Sequence, residues 1–574
     1  MYIAPQTNIR LLHNVPFDAS YVHSLYFASK SNQTNYFIGL TKYNLNAYSY
    51  QRYGKGVLRV QIVAENLYDV NYMMFQNTAF GNKWFYAFVD RVEYINDVTS
   101  AIHYHIDEIQ TWLLDWTFAQ CFVERMHTPT DVAGENIVPE PVEVGEYVYN
   151  DYAYLSYFGG ESTKIPRIIV ALTDVDEDYS FIAEGTMYDG IYGGTTLYAF
   201  PATASGAEDV NALITLYGKK SPDTIVSIYM LPHDAISDNN VNTGGNLNPI
   251  PTSTTGKSYA INLGNCGLQI DGYTPRNNKL FTYPYNFQNV VNGEGANLAL
   301  RYEFFNDKNA HVHVASSLSQ PVQIYCCPMY YKGVNWDSSH PTSNPYDMVD
   351  EKIVLSNYPC CSWNIDSWKV WWAQNSVPIA IRTAESALAL GITSYKSGSV
   401  KDIASNVVDM KGNTVPLEEV TSGSFNIDKA GGLYALHNIS NLLQSVYKAS
   451  IQADVTKGNI SSGNVMFSNR DYGFKHGRMS VNNQVAQIID SFFDRFGYSI
   501  HKVITPSIHT RANWTYLKTV DCTIHGSIPR DSESIIENAF NNGITFWARP
   551  SVVNVGDYSA NNAPLQSTPA NAET

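Results

Sequence analysis

Apolar and polar positions alternate through the first part of the chain, to about Thr128. In "GKGVLRVQIV" a turn leads into Val57, Arg59, Gln61 and Val63 on one face and Leu58, Val60 and Ile62 on the other. "NKWFYAFVDRVEYI" sets Trp84, Tyr86 and Phe88 against Phe85, Ala87 and Val89, turns at Asn96–Asp97 and returns through "SAIHYHI". A period of two sends successive side chains to opposite faces, so this pair predicts a β-hairpin. From Ile106 the spacing changes. Ile106, Ile109 and Leu113 recur at helical intervals, which predicts a short helix in "DEIQTWLLDW". The Pro-, Glu- and Val-rich stretch from about Pro129 to Tyr152 reads as a connection.

A second β-rich region runs from Thr163 to about Trp372, with strands expected at "PRIIVALTDV", "DTIVSIYML", "NAHVHVASSL" and "QPVQIYCCPMYY". Between Ala384 and about Gly463 the pattern becomes helical. Two apolar stretches, around Leu388, Leu390 and Ile392 and around Leu433, Leu436, Leu442 and Leu443, flank a polar, glycine-containing link. An amphipathic helix follows, with Ser480 as its expected cap, an apolar stripe of Val481, Val485, Ile488, Ile489, Phe492, Phe493 and Phe496, and Gly497 at its end. A second helix is expected over Asp531–Asn541, ending at Gly543, with a strand in "ITFWARP". The residues from 556 to 574 are nearly without large apolar side chains and read as a disordered tail.

Composition agrees with a mainly β, multidomain protein carrying a few helices. The 574 residues exceed one ordinary core. Aromatics make up 13%, with 41 Tyr, and 37 Gly and 25 Pro supply turns. Tyr combines a ring with a wet hydroxyl, so its abundance also suits large protein interfaces. The formal net charge of −16 argues against tight nucleic-acid binding, which needs clustered Lys and Arg to replace counterions. It leaves room for DNA that passes without sticking. Seven cysteines include the pairs Cys326-Cys327 and Cys360-Cys361, and neither has metal-finger spacing. No signal peptide and no run of about 18 apolar residues is visible, so folding in a cytoplasm is expected.

One stretch carries candidate chemistry. On a continuous strand His103, His105 and Asp107 would line one face, three of the ligands a catalytic zinc requires. His311 and His313 repeat the pattern. The next metal-binding position holds Glu108, and no alternation of strands and helices supplies further ligands, so polar residues on a wet strand face are the favoured reading. The chain has no Gly-x-Ser-x-Gly elbow, no phosphate-binding glycine loop and no His-Glu-x-x-His. A glycosidase carboxylate pair leaves no such signature.

Longer runs say more. "YMMFQNTAFGNKWFYAFVDRVEY…HYHIDEIQTW" near one end, with "SFFDRFGYSIHKV", "TRANWTYLKTVDCTIHGSIP" and "NAFNNGITFWARP" near the other, resembles the tail knob, or distal tail tube, proteins of short-tailed phages with small protein-primed genomes. The match spans roughly residues 8–127 and 488–548, and "LLHNVPFDASYVHSLYFASKSNQTNYF" agrees with it in pattern. The resemblance implies a structural virion protein, a homohexameric β-rich tube at the tail tip through which DNA leaves the particle. It implies no enzyme activity, no catalytic or metal residues and no cofactor, so His103 and His105 become scaffold.

The resemblance also implies a discontinuous tube-wall domain, of barrel or sandwich type, from residues 1–150 and 470–555. Residues 151–375 would form an inserted β-rich domain and 376–469 a mobile, partly helical plug. In that family the loop before the "SFF…FGY" helix plugs the lumen and contacts the host envelope, which makes Leu388, Leu390, Ile392, Leu433, Leu436, Leu442 and Leu443 the plug candidates. Lys396, Lys401, Asp402, Asp409, Lys411, Glu418, Glu419 and Asp428 interrupt the segment here. Each unpaired charge at bilayer depth costs about 2.5–3.5 kcal/mol, so plugging is easier to reconcile with the sequence than membrane insertion. The expected partners are further copies of the chain, the upper tail or collar protein, passing DNA and the host envelope. Two other readings remain open at this level: a tail-tip polysaccharide or peptidoglycan hydrolase, and a glycan receptor-binding module using the Tyr- and Trp-rich surface.

Overall fold

The computed structural model describes residues 6–48, 56–155, 157–158, 164–173, 187–188, 191–192, 195–220, 225–251, 254–318, 323–332, 351–355, 360–362, 458–459, 473–548 and 554–566. The seven plug candidates lie outside these residues. The chain divides into two compact units. Met1–Tyr147, Leu268–Tyr285 and Val481–Thr574 form the first; Val148–Gly267 and Asn286–Ser480 form the second. Leu268–Tyr285, which falls inside the inserted domain of the sequence reading, belongs to the first unit.

In the first unit an antiparallel sheet runs in the order Thr41–Tyr48, Thr7–His13, Val70–Asn77, Trp84–Asn96, Thr99–Ile106, Val57–Val60. The expected hairpin is its centre, with Asn96 paired to Thr99. Ile9, Leu11, Met73, Phe75, Ala87 and Ile102 fill one face. The other face of the middle strands is covered too. Phe37, from the helix Lys30–Gly39, stacks 5.4 Å from Tyr72, and Phe17 packs edge-on to Tyr72 and Phe88. Ser29 starts that helix by accepting the N–H of Asn32 at 3.2 Å. Tyr72 through Phe75 are therefore all buried, which explains why "YMMF" is apolar without alternation.

A second sheet joins the two ends of the chain. Its order is His23–Leu25, Ile544–Trp547, Trp514–Val520, Cys121–Met126, Tyr498–Ile504, and the first two strands are parallel. Helices Asn483–Phe496 and Arg530–Asn542 belong to the same unit. The cap of the first is Asn482, whose side chain accepts the Val485 N–H at 2.9 Å, and not Ser480. Ser480 is fully buried and still in the preceding strand, paired with Asn286. Gly497 closes the helix with φ 63°, and a Cβ there would meet the Met126 backbone at 2.3 Å, so only glycine fits.

Two further readings are corrected. The Pro- and Glu-rich connection ends earlier, in a strand Tyr147–Tyr154. The stretch read as a disordered tail is ordered as far as residue 566. Tyr558 packs on Trp514 and Trp547 at 5.3 and 5.2 Å. Asn562 accepts the N–H groups of Asn513 and Trp514 at 3.0 and 3.1 Å. Polar side chains and one ring hold this segment where aliphatic residues are missing.

The second unit holds the four expected strands as Arg167–Thr173, Ile225–Leu231, Asn309–Ser316 and Ile324–Met329. Arg167–Thr173 lies between Thr195–Pro201 and Ile225–Leu231 in one sheet. Asn309–Ser316 lies between Ser258–Asn265 and Ile324–Met329 in another. Ile168, Val170, Phe200, Leu231, Val312, Val314 and Ile324 share one core. A helix, Ala204–Lys220, was not expected. It buries Ala207, Val210 and Leu213, and its Gly206 lies so close to the carbonyl of Pro201 that no Cβ fits.

Candidate functional site

The candidate metal triad does not converge. The Nε2 of His103 pairs with Glu93 at 2.7 Å, and the Nδ1 of His105 pairs with Asp90 at 2.7 Å, both on the outer part of the hairpin. Asp107 has left that face. It is fully buried, accepts the Tyr72 hydroxyl at 2.7 Å and the Gln110 N–H at 3.0 Å, and caps the short helix Glu108–Trp112. Burial pushes its carboxyl up to about 7. The alternation that suggested a triad stops where the strand becomes a helix. His311 pairs with Asp307 at 2.8 Å, and His313 is buried with Ala260 and Cys327 opposite it on the neighbouring strands. Among the described residues no group of three or more His, Cys, Asp or Glu is placed to hold a metal.

The densest polar arrangement of the first unit is one that sequence patterning missed. It is a buried ionic knot tying Leu268–Tyr285 to both ends of the chain. Asp490, fully buried on the helix Asn483–Phe496, accepts four hydrogen bonds. The donors to its Oδ2 are the Tyr273 hydroxyl at 2.7 Å and the Arg276 N–H at 2.8 Å; those to its Oδ1 are the Asn277 N–H at 3.1 Å and its Nδ2 at 2.8 Å. One turn on, Asp494 accepts the Asn277 Nδ2 at 2.8 Å and pairs with the Arg276 guanidinium. Burial lifts its carboxyl to about 6. Asp131 accepts the Tyr498 hydroxyl at 2.6 Å and the Asn278 N–H at 3.1 Å, and burial raises it as well.

A second centre lies around Glu140, whose side chain is fully enclosed. The Lys279 ammonium and the Arg125 guanidinium both contact it, and the Ser499 N–H and hydroxyl donate to it at 2.9 Å each. Lys279 donates also to the Val138 carbonyl at 2.9 Å, and Arg125 to the Gly497 carbonyl at 2.6 Å. Arg125 lies 4.7 Å over the ring of Phe492. With Arg511 acting on Asp131 and Asp494, four basic side chains face four carboxyl groups, and burial pulls Lys279 down to about 7. A buried charge is tolerable only when paired and hydrogen-bonded, and Asp490, Asp494, Asp131, Glu140, Lys279 and Arg125 meet that condition together. His127, beside them, accepts the Tyr516 N–H at Nδ1 at 2.8 Å and faces the Asp494 carbonyl with Nε2 at 3.1 Å, so it carries its proton on Nε2. Burial holds it down to about 3. Arg511 apart, whose Nε and one terminal nitrogen find no hydrogen-bond acceptor among the described residues, these groups satisfy one another. Their chemistry is to fix backbone, and no pair of them stands open toward a substrate.

A family model described as Bacillus phage phi29, Tail knob protein gp9, C-terminal domain, matches residues 251–563, more than half of the chain. The chain belongs to that family. A second model, the Caudoviral major tail protein N-terminus, matches residues 5–117. The chain is similar to the tail knob protein gp9 of Bacillus phage phi29, at 25% identity over 629 aligned positions covering 97% of this chain and 98% of that protein. It is similar over the same shares to the proteins of the same name from Bacillus phages PZA and B103, at 25% and 24% identity. Its fold is shared with the bacteriophage C1 tail knob protein gp12, at a TM-score of 0.59 and 14% identity, over 96% of this chain and 98% of that one. The protein is a structural component of a phage tail, at its distal end, and so of the virion. The mainly β, multidomain architecture expected from the sequence is the one found.

Proposed function

We propose that six copies of this chain form the distal tail tube, a conduit through which the genome leaves and which residues 384–463 close until ejection. The observation that carries the reading is the family match over residues 251–563, joined to similarity with phi29 gp9 over nearly the full length of both chains. The protein works without catalysis: Asp107, Asp131 and Asp494, whose carboxyls burial raises, cap a helix or sit in the knot. Its further partners are the upper tail or collar protein and the host envelope. DNA passes without specific binding, because the net charge of −16, repeated in each copy, disfavours retention of phosphates. At physiological salt, screening over about 8 Å limits this repulsion to duplex that grazes the wall.

The knot suits a wall that must stay closed on itself while a plug moves. Its hydrogen bonds are directional, so they hold the backbone of Leu268–Tyr285 in one arrangement where a non-directional apolar contact would let it slide. Among the described residues no helix is long and apolar enough to cross a membrane. Native mass spectrometry tests the stoichiometry. A six-copy species is expected, and a protein that stays monomeric at micromolar concentration overturns the proposal. Incubation with host wall material tests the absence of catalysis: release of soluble sugars would establish the hydrolase instead.

A further inference from the structure

Cys121 opens the strand Cys121–Met126, and Cys522 follows the strand Trp514–Val520. These strands are antiparallel neighbours, with Thr519 opposite Val123 and Val520 opposite Phe122. The Ala119 N–H donates to the Thr523 carbonyl at 2.9 Å, so the same register continues past both cysteines. Continued strictly, it would put Cys121 opposite Asp521 and leave Cys522 one place on, facing the other way. Asp521 breaks the alternation. Its φ of 55° is left-handed, which turns the following residue and brings the two thiols near enough to act on each other. Cys522 is held there, because its N–H donates at 3.0 Å to the Asn541 side chain, which also accepts the Thr519 hydroxyl at 3.0 Å. Both cysteines are free and each is 5% exposed.

We propose that Cys121 and Cys522 are a site of oxidative modification, an intrachain disulfide that closes when the assembled protein meets a small-molecule disulfide outside the reducing cytoplasm. One protein thiolate attacks a sulfur of the oxidant, breaking its S–S bond and releasing one thiol. The second protein thiolate then attacks the protein-bound sulfur of the mixed disulfide and releases the other thiol. Two electrons pass from the cysteines to the oxidant, and the two protons end on the departing thiols. The bond would staple the first and last thirds of the chain within one sheet, a covalent counterpart to the ionic knot. It does not depend on how many copies surround the tube.

Burial raises both thiols, Cys522 to about 12. At pH 8 about one Cys522 in ten thousand is then the reactive thiolate, so the pair closes slowly and stays open during synthesis. The test is to incubate the purified full-length protein with bis(2-hydroxyethyl) disulfide at pH 7, 8 and 9, block remaining thiols and map the peptides. A peptide linked through Cys121 and Cys522 is expected. Its formation should speed up about tenfold per pH unit, its closure should raise the unfolding midpoint by several degrees, and reductant should reverse both effects. Cys522→Ser should leave Cys121 as a mixed disulfide or a thiol. If that variant fails to fold, the wild-type map still decides. Wild-type protein whose two cysteines remain free, or end as separate mixed disulfides, overturns the proposal.

Discussion

Replacing Asp490 by asparagine should loosen the first unit at one definable place. The substitution keeps shape and Oδ1, which still accepts from Asn277 N–H and Nδ2. At the other position an N–H₂ now faces the Arg276 N–H, a donor against a donor 2.8 Å away in the native arrangement. The Tyr273 hydroxyl can rotate to accept; the amide of Arg276 cannot. One buried donor is orphaned, at about 1–3 kcal/mol, and the bonds that remain lose the charge on their acceptor, so the total is about 2–4 kcal/mol. The loss falls on Leu268–Tyr285, because that segment owns the donors. Hydrogen exchange followed by mass spectrometry reads it directly. Peptides spanning 273–278 should exchange about 30- to 1000-fold faster than wild type, while those of the Trp84–Ile106 hairpin keep their rate. Asp490→Ala should be worse, and Tyr273→Phe should cost only about 1 kcal/mol. Unchanged exchange at Arg276 and Asn277 in Asp490→Asn would show that the knot does not hold the segment, and the reasoning would fail.

Asp107 gives a pH prediction. Its folded value near 7 lies above the ordinary 3.8, so the folded state keeps a proton that the unfolded chain releases. This contribution is fully present below about pH 4 and is lost as pH rises through 7, by about 4 kcal/mol at pH 8. Asp107→Asn, measured by urea unfolding from pH 4 to 8, should flatten that decline, and parallel curves would contradict it. His127 acts in the opposite sense, since its folded value near 3 lies below the ordinary 6.5. Its contribution is present above pH 6.5 and is lost as acid approaches pH 3; His127→Gln, which can keep one donor and one acceptor, should unfold at lower pH than wild type. Deleting residues 397–424 should leave assembly intact and make filled particles leak DNA, whereas retention equal to wild type would place the segment elsewhere than in a plug.

Much of the fold was legible because burial of one face leaves a period in the sequence. The Trp84–Ile106 hairpin, the strands of the second unit and the helix ending at Gly497 follow from that rule. The helix stripe was read too wide: Ile489 and Phe493 are buried, but Ile488 is 67% exposed and Phe496 partly so. Asp490 and Asp494, which the apolar stripe leaves out, are buried on the same helix. Their partners come from a segment some 210 residues earlier with no apolar period, so nothing local announces the knot. Gly206 hid the Ala204–Lys220 helix for a similar reason, since the glycine answers a close approach of Pro201 and not a helix end. The rare aromatic runs did what periodicity could not, by pointing to the family across two distant stretches.

The central claim is that this chain closes into a six-fold tube. Negative-stain electron microscopy of the purified full-length protein tests it most directly. The account predicts end-on views of rings with six-fold symmetry and a central channel, alongside short tubes in side view. Compact particles without a channel, or rings of another symmetry, would contradict it.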